Sequence, residues 1–343
     1  METLYIVIIA VSSAAFLTGI ALIVYYIIVT HAFASTSPFT TATWVQLKLG
    51  NTPSSDPSST FSSWKLGLKA LPSNMQIYPA HTLQPKQKLP KTYYFKTCEL
   101  VPINDQGNCQ SCTLFASYSM LASRLAIQTG NIPEMLSVQQ ALDCMNLPCS
   151  QPLTIDVGLN FAATVGIVNA KVYPYQQTSK GTCLIKDAPD FNTRVFATTI
   201  QAISPRNGFT AGSKAHNNAI KGAMTEIYSF GPIVTIIELH SDLLYQYSAT
   251  AFDKATGKYV CSVYVPSANS VILGYHAINV IGWQKPDPNS YNGACWICIS
   301  SYGTAWPPSP WPNYPGAFFM QMGSNCCGME EQFIAAHPVV NTM

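Results

Sequence analysis

Between Ser111 and Gly130 the apolar side chains Leu114, Phe115, Tyr118, Leu121, Ala122 and Leu125 recur at three- and four-residue spacing, the stripe of a helix that buries one face. Ser111 suits an N-cap and Gly130 a C-terminal stop, so the spacing predicts a helix from about Cys112 to Thr129. Its first turn carries the Cys112 thiol. At a helix start the unpaired N–H groups and the dipole favour an anion, and a thiolate is a nucleophile whose pKa a nearby imidazole lowers further. Cys112 is therefore a candidate nucleophile, set against the commoner role of a cysteine as a core or disulfide residue.

A nucleophile of this kind needs a base. Of the six histidines, His276 alone lies in an alternating apolar strand pattern, Val271 and Leu273, then Ile278 and Val280, bounded by Gly274 and Gly282. A lone histidine on an apolar face is usually a satisfied core residue. It becomes a candidate base because the chain also carries a thiol on a helix start and an amide donor, Gln106, six residues before it.

The N-terminal quarter of the chain has a different character. Leu4 to Val29 holds no charged side chain, and its 26 positions would span roughly 39 Å as a helix, enough to cross a hydrocarbon core of about 30 Å with tilt. Tyr5, Tyr25 and Tyr26 sit near its ends, as interfacial aromatics do. Ala32-Phe33-Ala34 also fits a signal-peptidase pattern, which would give a chain secreted after cleavage at Ala34. The length of the run and the absence of Lys or Arg before it favour an uncleaved transmembrane signal-anchor over residues 1–34, with the globular head C-terminal to the span. Residues 35–88 are rich in Ser, Thr and Pro and read as a stalk, with a more apolar patch from Trp64 to Leu71 suited to docking on the head.

Only 10% of residues are charged, against roughly 25% in an ordinary soluble domain, which excludes a disordered acidic or basic chain. The net charge of +2 supplies no footprint for nucleic acid. Eleven cysteines are an odd number, so at least one thiol stays free or pairs outside the chain.

The string Pro102-Ile103-Asn104-Asp105-Gln106-Gly107-Asn108-Cys109-Gln110-Ser111-Cys112 resembles the Q-G-x-C-x-S-C motif of papain-like cysteine proteases, with Cys112 at the nucleophile position. Leu136 to Cys144 is similar to the family's L-S-x-Q-x-L-x-D-C, and Tyr173-Pro174-Tyr175 to its Y-P-Y turn. Met224 to Pro232 resembles the segment opening the β-rich half of cathepsin B-like members, and Gly274 to Trp283 the catalytic-histidine strand. Cys295 to Trp306 resembles W-x-x-x-N-S-W-x-x-x-W in spacing, and Asn325 to Glu330 the closing C-G-I-E. The resemblance runs in order from Leu89 to about Pro338.

What it implies is an α+β, papain-like two-lobe fold preceded by an N-terminal transmembrane helix. The peptidase domain would cover 89–343, with a helical left lobe over about 98–198 and a β-barrel-like right lobe over about 199–340. Residues 35–88 could then include a short prosegment. The cleft would hold Cys112 on one wall and His276 on the other. Gln106 and the Cys112 N–H would form the oxyanion hole of a cysteine endopeptidase acting on protein or peptide substrates. The resemblance implies no cofactor and no metal. It fits a secretory, lysosome-like or viral-envelope location, with the membrane engaged through residues 4–29.

Several positions depart from the family pattern. Ser300 stands where the family carries the Asn that orients the imidazole, and a hydroxyl is shorter than an amide. Thr113 and Tyr302 replace tryptophans. The alternative is therefore a catalytically impaired papain-fold protein used as a membrane-anchored binding or structural component, against which stand the retained Cys112, Gln106 and His276. The family's substrate-facing C-N-G-G turn appears as Cys149-Ser150-Gln151-Pro152, placing Gln151 there, and Pro152 cannot donate an N–H. Gln332 takes the place of an acidic S2 residue of cathepsin B-like enzymes. The interval from Cys183 to Met224 has no Cys- and His-bearing insertion of the occluding-loop kind, which favours endopeptidase over carboxydipeptidase activity. By position in the family, Cys109 pairs with Cys149 and Cys144 with Cys183, and Cys261 with Cys327 forms a third bridge. Cys98, Cys295, Cys298 and Cys326 are left unassigned, with Cys298 in a buried strand as an inert thiol.

Overall fold

The computed structural model describes residues 88–185, 193–205, 208–253, 258–286 and 293–342. The expected anchor over 1–34, the stalk up to residue 87 and the Trp64–Leu71 patch lie outside the described residues. Among the described residues no helix is long and apolar enough to cross a membrane.

The helix anticipated from the apolar stripe forms with the expected bounds, Cys112–Thr129 (α1). Gly130 ends it in the left-handed region, φ 70° and ψ 13°, with its N–H on the Ala126 carbonyl. Val138–Cys144 (α2) starts at Ser137, whose hydroxyl oxygen accepts the Gln140 N–H. Ile155–Thr164 (α3) packs on α1. Gly158 makes that packing possible, because a Cβ there would fall 2.9 Å from the Leu114 side chain.

The second half is a sheet with helices against it. Its strands are Thr92–Tyr94 (β1), Thr193–Ala202 (β2), Ile233–His240 (β3), Thr250–Asp253 (β4), Lys258–Cys261 (β5), Val263–Tyr264 (β6), Ile272–Gln284 (β7), Cys295–Ile299 (β8), Ala317–Gln321 (β9) and Ile334–Thr342 (β10). Lys214–Phe230 (α4) precedes β3, and Ser241–Tyr245 (α5) follows it. The large sheet runs β2-β10-β3-β7-β8-β9-β6, with β1 added to the far end of β7, while β4 and β5 form a separate hairpin. Only the β6–β9 pairing in it is parallel. From His276 to Trp283, β7 is buried at every position, as a central strand covered on both faces must be. β2 begins at Thr193, ahead of the lobe boundary expected near residue 198, because it pairs with β10 from Thr193↔Thr342 to Ala202↔Ile334.

α1 packs along β7 and β10, and one buried arginine fastens the helix to α4 and to the sheet. Arg124, 1% exposed, donates from Nη1 to Glu226 Oε1 on α4 at 2.7 Å and from Nε to the Pro232 carbonyl at 2.7 Å. Its remaining N–H groups reach the carbonyls of Gly231 and Ala336 at 3.3 and 3.4 Å. A planar guanidinium with five donors suits such a site, where a lysine would leave carbonyls unmet. A second buried carboxylate, Glu330, organises the far end of the sheet. It accepts from Trp296 Nε1 at 2.8 Å and from the Gly323 and Asn325 N–H groups at 2.8 and 2.7 Å, and lies 2.7 Å from His216 Nε2.

Two disulfides form, Cys109–Cys149 and Cys144–Cys183, as the resemblance implied. The expected Cys261–Cys327 bridge does not form, and both thiols are free. Cys261 ends the β4–β5 hairpin, whereas Cys327 sits in the turn Cys326–Glu331, packed on β3, with its sulfur 3.9 Å from that of Cys326. Cys298 is fully buried on β8, and burial pushes its thiol well up.

Burial alone would raise the Glu226 carboxyl, but the His337 hydrogen bond and the Arg124 charge outweigh it and hold the group at about 2, below its ordinary 4.5. A depressed carboxylate contributes stability that is complete above its unfolded value and is lost as pH falls through the folded one. Urea unfolding of Glu226→Gln is expected to cost about 3–5 kcal/mol near neutral pH, because Arg124 is left without its counter-charge. The gap to wild type should narrow as pH falls from 4.5 toward 2. A gap independent of pH in that window would contradict the assignment.

Candidate active site

Cys112 is the first residue of α1 and is half-buried. Burial pushes its thiol up from the ordinary value, and backbone groups of Ala277, Thr113 and Cys112 itself pull it back. Desolvation of the thiolate is the larger effect, so lowering of this thiol rests on the imidazole that was expected to act together with the helix start. Ala277 follows His276 on β7, so the histidine strand crosses the nucleophile end of the helix.

His276 is 3% exposed and held on two sides. Its Nε2 lies 2.8 Å from Ser300 Oγ, so the short hydroxyl side chain expected to orient the imidazole does reach the ring. The reach follows from strand pairing, since Asn279↔Ile299 and Val280↔Cys298 bring the end of β8 beside the histidine. Tyr302 stacks on the imidazole with centroids 4.3 Å apart and planes 13° apart. Trp306 meets Tyr302 edge-on at 5.5 Å. Tyr302 thus covers the ring in the place where the family has tryptophan. Thr113, in place of the other tryptophan, is buried in the first turn of α1.

Gln106 is 2% exposed and joined to both halves of the fold. Its Oε1 accepts from Ser301 Oγ at 2.6 Å, and its backbone N–H donates to the Ser301 carbonyl at 2.9 Å. Its Nε2 donates to the Cys109 carbonyl at 3.0 Å, and its own carbonyl accepts from the Tyr175 hydroxyl at 2.7 Å. An amide nitrogen carries two hydrogens, so one remains beyond the bond to Cys109. The Cys109–Cys149 bridge and the Gln110 N–H on the Cys149 carbonyl, at 2.8 Å, tie this loop to the turn that carries Gln151. Gln151 is exposed there, with its N–H on the Pro148 carbonyl. Gln332 is half-buried at the end of the Cys326–Glu331 turn.

Sequence reading passed over Asn279 and Ser301. Asn279, 5% exposed, donates from Nδ2 to the Ala116 carbonyl of α1 at 2.9 Å, a direct bond from the histidine strand to the cysteine helix. Its signal was a single polar residue inside the apolar run Ala277-Ile278-Asn279-Val280-Ile281. Ser301 sits beside the candidate Ser300, and only tertiary pairing shows that its hydroxyl turns to Gln106. Together these residues present a thiol, an imidazole with a hydrogen-bond partner and a fixed amide donor around one helix start. That is the donor set for attack on a carbonyl carbon. Among the described residues no group of three or more His, Cys, Asp or Glu side chains could hold a metal ion.

Comparison with known proteins places the chain in a family. A family model described as papain family cysteine protease matches residues 89–337. The gut-specific cysteine proteinase of Caenorhabditis elegans is 25% identical over 248 residues, covering 68% of this chain and 67% of that protein. Cathepsin B-like cysteine proteinase 3 of the same organism is 25% identical over 252 residues, covering 68% of this chain and 60% of that protein. In fold, the chain is similar to procathepsin B S9 of Trypanosoma congolense, with a TM-score of 0.55 and 18% identity over 81% of this chain and 88% of that one. The chain belongs to the papain family of cysteine proteases.

Proposed function

We propose that this chain is a cysteine endopeptidase in which Cys112 is the nucleophile, His276 the general base and acid, and Ser300 the group that orients the imidazole. The observation that carries the reading is the 2.8 Å contact between His276 and Ser300 under the Tyr302 ring, on a strand whose next residue touches Cys112. His276 takes the thiol proton as sulfur attacks the peptide carbonyl. The imidazolium, with Nε2–H donating to Ser300 Oγ, then gives that proton to the leaving amine. Water, activated by the neutral ring, hydrolyses the thioester and returns the thiol. The second Nε2 hydrogen of Gln106 and the Cys112 N–H receive the developing oxyanion, where one donor is worth about 10²–10³ in rate.

Endopeptidase rather than terminal cleavage is favoured by the sequence between Cys183 and Met224, whose one histidine, His216, is buried on Glu330. Gln332 in place of an acidic residue argues against a strong demand for Arg at P2. The charge-free run from Leu4 to Val29 supports a membrane-anchored head, and the two disulfides support an oxidising compartment such as the secretory pathway.

Labelling with an epoxide electrophile of the E-64 type should modify wild type at Cys112 and leave Cys112→Ala unmodified. Equal absence of label in both would instead favour a papain-fold binding protein. Because burial raises the thiol, the imidazole has to supply the proton acceptor. Alkylation of Cys112 by iodoacetamide in His276→Ala should follow a titration above the ordinary thiol value of 9.0, while wild type reacts at lower pH. Coincident pH profiles would remove His276 from the role of base.

A further inference from the structure

We propose that Tyr175 is a positioning residue for the oxyanion loop, its hydroxyl fastening the Gln106 carbonyl to the Ser111 hydroxyl at the start of α1. The inference rests on the peptidase mechanism above and goes beyond it, because it concerns what keeps Gln106 and the Cys112 N–H in a fixed relation.

The Tyr175 hydroxyl donates to the Gln106 carbonyl at 2.7 Å and lies 3.0 Å from Ser111 Oγ. Tyrosine has one hydroxyl proton, so with that proton on Gln106 the Ser111 hydroxyl is the donor of the second bond. Ser111 occupies the N-cap position without making a side-chain cap bond. Its hydroxyl is therefore spent on the loop rather than on the helix N–H groups that an N-cap serine usually satisfies. Phe115, one turn into α1, meets the Tyr175 ring edge-on at 4.8 Å and fixes its direction. The Tyr175 phenol is pushed up to about 12, first by burial, with the charge of a Cys112 thiolate contributing. Two residues on, the Gln177 side chain lies against Gly107 and covers the next peptide of the loop.

Tyr175 is itself held from below. Gln139 accepts the Gln176 N–H at 2.8 Å and donates to the Thr178 carbonyl at 2.6 Å. Ser137 Oγ donates to the Tyr173 carbonyl at 2.6 Å, and the Tyr173 hydroxyl to Asp143 at 2.9 Å. Ser137, Gln139 and Asp143 come from the L-S-x-Q-x-L-x-D-C segment, and Tyr173 and Tyr175 from the Y-P-Y turn. The two motifs form one strap, and the end of that strap is a hydroxyl on the oxyanion residue. Gln106 is consequently gripped from both halves, by Ser301 through its N–H and side chain and by Tyr175 through its carbonyl.

Tyr175→Phe removes the hydroxyl and keeps the ring on Phe115. Turnover of a peptide amide should lose about 10- to 100-fold in kcat with KM within about threefold, because misplacing a transition-state donor costs rate more than binding. Alkylation of Cys112 by iodoacetamide, which forms no oxyanion, should stay within about twofold of wild type. Hydrogen–deuterium exchange of the loop amides from Gln106 to Ser111 should quicken by about tenfold or more while the sheet is unchanged. Unchanged kcat in an active wild type overturns the inference, as does alkylation that falls in step with kcat. If wild type turns over no peptide, the catalytic mechanism fails on its own account, and unchanged loop exchange in Tyr175→Phe would then overturn the positioning role independently.

Discussion

Helix α1 is held in one setting on the sheet by hydrogen bonds that cannot slide. The Asn279 amide donates to the Ala116 carbonyl one turn beyond Cys112, and Arg124, about 12 Å further along the helix axis, is locked through its guanidinium to Glu226 and three carbonyls. Apolar packing alone would tolerate a shift or rotation of α1 on the sheet, since burial has no direction. A buried amide or guanidinium displaced from its acceptors costs several kcal/mol, so these two contacts convert a greasy interface into one with a single setting. Cys112 and His276 stand at the end of the interface that this setting defines.

The same division of labour recurs at Gln106. Its side-chain oxygen and N–H belong to Ser301 on the sheet side, and its carbonyl to Tyr175 on the helical side. A residue bonded to both halves reports on their relative position, and any motion of one half against the other must disturb it. Ser300 makes the complementary adjustment. It gives up the length of an amide side chain, and the β7–β8 pairing brings its hydroxyl to the ring at 2.8 Å.

Much of this was legible in the residues. The apolar stripe and the flanking Ser111 and Gly130 located α1 to the residue, and family motifs gave the order of the site segments and both disulfides. What stayed hidden has a common cause, which is that it depends on partners far apart in sequence. Arg124 falls outside the apolar stripe of α1, and its burial follows only when Glu226, 102 residues away, is placed beside it. Asn279 reads as a blemish in an apolar strand until α1 crosses it. The Cys261–Cys327 expectation failed for the same reason, since order along the chain does not tell which hairpin lies near which turn. The thiol's raised pKa was hidden too, because helix position is local but burial is not.

The central claim is that the α1–β7 register delivers the Cys112 sulfur to the His276 ring. A crystal structure of the protein measures it directly. The account predicts Cys112 Sγ within about 4 Å of His276 Nδ1, with the Asn279–Ala116 bond intact and Nε2 on Ser300. A ring turned so that neither nitrogen faces the sulfur, or a separation beyond about 6 Å, would contradict it.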